Sequence, residues 1–133
     1  MIELAIISQI IVGAVVLSVW TIRYNNATEW RGGDAKSMPE EFATYGLSPW
    51  VLGLTRVTKI ALAVMILAGI WVTQLAVPAS LAMAALMTVA IAMHVKVGDA
   101  LRKSAPAFTM LVLCLLVAYG YQSAEQVTEV AGG

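Results

Sequence analysis

The sequence predicts an all-α integral membrane protein, a four-helix bundle with a short interfacial helix between its first and second spans. Three observations carry that reading. The 133 residues are 60% hydrophobic and only 12% charged, whereas soluble domains average about 45–50% apolar and about 25% charged residues. A globule of this size buries only about two-thirds of its unfolded-chain surface, so the excess apolar surface has to meet lipid. The apolar residues are gathered into four stretches of spanning length. All eight Lys and Arg fall at one side of the topology those stretches imply.

The first span is residues 4–22, LAIISQIIVGAVVLSVWTI. Its start carries Glu3 in place of a cationic segment, and its apolar run is longer than the roughly 7–15 residues of a signal-peptide core. It is therefore expected to be retained. Residues 49–73, 77–95 and 105–121 supply the other three spans. Each approaches the roughly 20 helical residues that cross a hydrocarbon core about 30 Å thick. Helices are the expected form, since backbone groups in lipid must be paired within their own segment.

Punctuation marks the ends. Ser48-Pro49 places a capping residue before a first-turn proline, and Ser104-Ala105-Pro106 nearly repeats it. Pro78 opens the third span, and Gly98 lies where a helix end favours a left-handed residue. Few residues separate spans two and three, which predicts a tight antiparallel hairpin. In the first loop, Ser37-Met38-Pro39-Glu40 reads as a capping box and Gly46 as a stop. A short helix, PEEFATY, is expected there at the membrane surface, with Phe42 and Tyr45 toward lipid or bundle. Residues 123–133 form a polar tail expected to be frayed, leaving 1–122 as the membrane domain.

Arg23, Arg31, Lys36, Arg56 and Lys59 belong to the first loop and the start of span two, and Lys96, Arg102 and Lys103 to the third loop. The other face has none. The positive-inside rule then puts loops one and three in the cytoplasm and both termini outside. Trp20, Trp30, Trp50 and Tyr24 are expected at the inner interface, and Trp71, Tyr119 and Tyr121 at the outer one.

Candidate ligand-binding residues are His94, Lys59, Arg56 and Asp99. His94, the single histidine, titrates near neutral pH and can hydrogen-bond a lipophile or simply close its helix at the negative dipole end. Arg56 and Lys59 lie one turn apart, roughly 10–15 Å into span two. An intramembrane cation is a functional suspect, unless its stem lets it snorkel to the headgroups. Asp99 is the nearest counter-ion by sequence, with Glu40 and Glu41 as others. Ser80, Ala84, Thr88 and Ala92 recur every fourth residue and form a helix-packing face, with the partner either in this chain or in another copy. Met83, Met87 and His94 share a neighbouring face that suits either a core stripe or an adaptable lining.

The sequence offers no catalytic residue. It holds no Gly-rich phosphate loop, catalytic triad, paired carboxylates or CxxC, and no His/Cys cluster for a metal. Cys114 sits in an apolar run as a small hydrophobe. With zero net charge and no basic stripe, nucleic acid is not an expected partner.

The run EFATYGLSPW and the run HVKVGDALRKSAPA resemble those of the DoxX-like membrane proteins. The resemblance covers most of residues 1–122 and rests on Phe42, Gly46, Pro49, His94, Gly98, Asp99, Arg102 and Pro106. It implies a four-helix bundle in a bacterial plasma (inner) membrane. It also implies links to thiosulfate:quinone oxidoreductase, to complexes that manage thiol and oxidative stress, or to chaperoning of receptor assembly. The functional expectation is a non-catalytic accessory subunit packing as a homo-oligomer or with a larger membrane partner. The alternative is a quinone- or lipophile-binding subunit of an oxidoreductase, in which His94 bonds a carbonyl and Lys59 or Arg56 stabilises the reduced anion. A minimal transporter ranks last, because four helices with a few interfacial charges give little polar lining.

Overall fold

The computed structural model describes residues 2–132, with side chains through Ala124. Among the described residues the elements are α1 (Ile2–Trp20), α2 (Met38–Thr44), α3 (Pro49–Ala68), α4 (Ala76–Lys96) and α5 (Ala105–Gly132). Single 3₁₀ turns, Thr73–Leu75 and Leu101–Ser104, lead into α4 and α5. Four segments, Ile2–Trp20, Pro49–Ala68, Thr73–Lys96 and Leu101–Ala124, are long and apolar enough to cross a membrane. They form an antiparallel ring in which α1 packs on α3 and α5, and α4 packs on the same two. The short α2 lies across the charged end against α3.

Apolar residues surround each long helix rather than forming one stripe. Inward, Val12, Val16, Ala63, Ile66, Met83 and Cys114 make the core. Outward, Ile7, Ile10, Leu54, Val57 and Leu115 are exposed, as a bundle solvated by lipid requires. Small side chains at the contacts, such as Ala5, Ala63, Ala79 and Ala118, are buried and let the backbones approach.

The capping box forms as its chemistry dictates. Ser37 Oγ accepts from the Glu40 N–H at 3.3 Å, and the Glu40 carboxylate accepts from the Lys36 N–H at 3.0 Å. Ser48 does occupy the N-cap position of α3, but its carbonyl rather than its hydroxyl accepts the first bonds. Gly46 and Gly98 end α2 and α4 with φ of 78° and 72°. A Cβ at Gly98 would meet nothing, so glycine there serves the backbone alone, sparing the roughly 1–2 kcal/mol of a left-handed L-residue.

Boundaries differ in detail from expectation. Span two ends at Ala68 rather than Thr73, and a Cβ at Gly69 would lie 3.0 Å from the Ala76 Cα, so glycine there lets the start of α4 pack close. The α4 helix starts at Ala76, two residues before Pro78. Helical backbone continues past Tyr121. The tail expected at residues 123–133 is helical in its backbone through Gly132, and the side chains of residues 125–133 lie outside the described residues.

Two aromatic placements also differ. Trp50, Trp71 and Tyr119 are exposed as interfacial residues should be, but Trp20 is buried at 3% exposure. Its ring meets Phe42 edge-on at 5.9 Å and Tyr24 at 6.2 Å. Tyr121 turns inward, donating to Gln9 Oε1 at 2.7 Å, while Gln9 Nε2 donates to the Ile66 carbonyl at 3.0 Å. A polar side chain inside an apolar span is thereby satisfied by α3 and α5, which ties three helices together at the uncharged half.

Candidate functional site

The charged end is organised by Arg31, which is 4% exposed. Its planar guanidinium donates to the carbonyls of Arg23 at 2.7 Å, Tyr24 at 3.2 Å and Asn26 at 3.0 Å. A further donor reaches Glu41 Oε2 at 3.1 Å. Five fixed donors allow one side chain to gather the whole turn after α1 and the first turn of α2. Glu41 points inward from α2, and its other oxygen accepts from the Tyr45 hydroxyl at 2.6 Å. Burial first, and then that bond to a carboxylate, push the Tyr45 hydroxyl well above the ordinary phenol value. It remains a proton donor throughout the physiological range. The Tyr45 ring is packed so closely on Gly32 that a Cβ there would lie 2.5 Å from ring atoms.

Across from Tyr45 stands His94, 6% exposed in the last turn of α4. The two rings meet edge-on with centroids 5.8 Å apart, and Tyr45 Oη lies 3.4 Å from His94 Nε2. His94 Nδ1 lies 2.7 Å from Asp99 Oδ2. A carboxylate accepts only, so this contact assigns the Nδ1 proton. Asp99 also accepts the Gly33 N–H at 3.0 Å and faces Lys103 Nζ at 3.7 Å. Burial opposes its ionisation, but the bonds from His94 and Gly33 and the charge of Lys103 outweigh that and hold the carboxyl below the usual range. Lys103 donates onward to the Gly33 carbonyl at 2.6 Å, and Lys96 to the Tyr45 carbonyl at 2.9 Å. Loop three therefore clamps loop one, and a continuous chain of contacts runs Arg31, Glu41, Tyr45, His94, Asp99.

The two cations of α3 face α1, as their shared face requires, but they do different things. Arg56 stacks 4.1 Å over the Tyr24 ring and donates from Nε to the Trp20 carbonyl at 3.3 Å. It closes the carboxyl end of α1, a structural task. Lys59 is 9% exposed, and its Nζ lies 5.1 Å from the Trp20 ring centroid. No hydrogen bond or ion pair of Lys59 occurs among the described residues. Asp99 is not the counter-ion of either cation. Its carboxylate is committed to His94, Gly33 and Lys103, because the turn at Gly98 folds it back against α4.

Beneath these groups lies a cavity of about 400 Å³. Its wall is apolar, including Trp20, Phe42, Met87 and Met110, with Lys59 and His94 among its polar members. Arg56 is absent from the lining. A mostly apolar chamber with a few convergent polar groups, inside the roughly 300–1,000 Å³ range of small-molecule sites, has the chemistry of a lipophile site. Of the small-residue line on α4, Ser80 and Ala84 are buried within the bundle while Thr88 and Ala92 face outward. Met83, Met87 and His94, the neighbouring face, are all buried.

The DoxX-like family model matches residues 30–119. That stretch holds α2, α3, α4, most of α5 and every member of the Arg31-to-Asp99 chain. The chain belongs to the DoxX-like family. As a DoxX-like protein with four apolar spanning helices it is a membrane protein, and lipid is its solvent. No curated protein and no solved structure matches it.

Sequence reasoning picked out Lys59, Arg56, His94 and Asp99 and named Glu41 among the possible counter-ions, but missed Arg31 as the partner of Glu41 and the role of Trp20. Arg31 and Glu41 are ten residues apart across an irregular loop, where neither helical nor strand periodicity relates them. One signal was available. A polar residue facing the bundle from a seven-residue helix, Glu41 beside Phe42 and Tyr45, calls for a buried partner.

Proposed function

We propose that this DoxX-like protein is a non-catalytic accessory subunit that holds a lipophile in the cavity under loop one, a quinone being one such molecule. The supporting observation is Lys59, a buried cation with no hydrogen bond or ion pair among the described residues, lining an apolar chamber with His94. An intramembrane ionisable group is costly and tends to serve a ligand or relay. His94, fixed through Nδ1 by Asp99, presents a defined ring to the same space. The chain itself brings binding and positioning, and any electron or group transfer belongs to a partner protein. The outward-facing Thr88 and Ala92 offer that partner, or a second copy, a close-packing strip. Under this reading the end carrying the cations faces the cytoplasm of a bacterium, and both termini lie outside the plasma membrane.

Native mass spectrometry of the protein extracted gently from its membrane tests the reading. The expected wild-type spectrum carries an adduct of one small lipophile per chain. Ala107 lines the cavity, and Ala107→Trp fills it, so the adduct disappears in that variant. A wild-type spectrum without adduct, or one that Ala107→Trp leaves unchanged, overturns the assignment.

A further inference from the structure

The lipophile-holding reading leaves open the chemistry of the ligand's head, and the charge inside the cavity decides it. Four cations line the chamber, Arg23, Arg31, Lys59 and Lys103, against a single acid, Glu41. Glu41 is already spoken for, with one oxygen on Arg31 and the other on Tyr45. Arg31 is saturated by that carboxylate and by loop carbonyls, and Lys103 by Gly33 and Asp99. Among the described residues Lys59 alone of the buried cations has no hydrogen-bond acceptor or ion pair; it rests against the Trp20 ring and feels the committed Glu41 carboxylate only at longer range. It lies ten residues into α3 from Pro49, buried beside Trp20 at the carboxyl end of α1. In that buried setting water screens the charge poorly, and an anion is its strongest available partner.

The walls say what carries the anion. The cavity wall is largely apolar, with Val16, Trp20, Met87 and Met110 among its members, which compensates a hydrocarbon chain better than a bare inorganic anion. Val89 lines the cavity yet is 54% exposed on the outer side of α4. The lining therefore reaches the lipid-facing surface at α4, a direction from which a hydrocarbon chain can enter. A volume of about 400 Å³ suits one chain or one ring system, at the small end of ligand sites.

We infer that the cavity takes a single-chain lipophilic acid whose carboxylate pairs with Lys59 Nζ, with its chain against Trp20, Met87 and Met110. This rests on the lipophile-holding reading and adds the charge and chain number of the ligand.

The test uses the full chain in detergent at pH 8, with Trp fluorescence quenched by brominated palmitate, brominated hexadecanol or brominated phosphatidylglycerol. The acid is expected to bind wild type about tenfold more tightly than the alcohol, or better. Lys59→Gln erases that difference while leaving alcohol binding in place, and Lys59→Arg preserves it. The comparison of acid with alcohol on wild type needs no variant to fold. Equal affinity for acid and alcohol overturns the acid assignment and leaves the lipophile reading standing. Displacement of palmitate by phosphatidylglycerol overturns the single-chain assignment in favour of a headgroup. Saturable binding of none of the three removes both the inference and the reading beneath it.

Discussion

Arg31→Ala collapses the charged end of the bundle. The substitution strands the Glu41 carboxylate beside Tyr45 in a buried setting and frees the carbonyls of Arg23, Tyr24 and Asn26 at once. Removing one partner of a buried ion pair costs about 3–5 kcal/mol, chiefly through the uncompensated charge left behind. The thermal midpoint in mild detergent therefore falls steeply, and residues 21–37 become sensitive to protease while α1, α3 and α5 stay associated through the Gln9 contacts to Ile66 and Tyr121. Arg31→Lys does not rescue, since an ammonium lacks the planar fork that reaches three carbonyls and a carboxylate together. Arg31→Met combined with Glu41→Leu recovers part of the loss, because the orphaned charge goes with its partner. An unchanged midpoint in Arg31→Ala contradicts the account of how loop one is held.

Lys59→Met has the opposite sign, and that is its value as a prediction. An unpaired lysine inside a spanning helix costs up to about 2.5–3.5 kcal/mol on insertion scales. The Trp20 ring returns up to about 2 kcal/mol of that when desolvated. Methionine matches the length of the stem and packs on Trp20 without a charge. The variant is expected to be more stable than wild type by about 1 kcal/mol, with a raised thermal midpoint, while losing preferential binding of a lipophilic acid. Stability gained together with binding lost is the mark of a residue kept for a ligand. A lowered midpoint makes Lys59 a structural residue whose contact with Trp20 holds α1 to α3.

The spans were legible because lipid imposes a simple rule on sequence, about twenty apolar residues closed by caps, and Ser37, Gly46, Pro49 and Gly98 all sit where that rule puts them. Side-chain partners were not legible, because they are set by the way loops fold over one another. Asp99 reads as a counter-ion to span two until the left-handed turn at Gly98 returns it to His94 and the Gly33 N–H. Trp20 reads as an interfacial anchor until α2 covers it with Phe42. The every-fourth-residue line on α4 shows a limit of pattern counting. Each step of four residues drifts about 40° around a 3.6-residue helix, so Ser80 and Ala84 face the bundle while Thr88 and Ala92 have rotated out of it.

The central claim is that the chamber beneath loop one is a ligand site. Photo-crosslinking reads it out most directly, with a fatty acid carrying a diazirine near its carboxyl end, incubated with the protein in lipid nanodiscs, irradiated and mapped by peptide mass spectrometry. The account predicts labelling on the cavity residues Trp20, Met87 and Met110, abolished by excess unlabelled palmitate. Labelling confined to lipid-facing Leu54, Val64 and Leu115, unaffected by competitor, contradicts it.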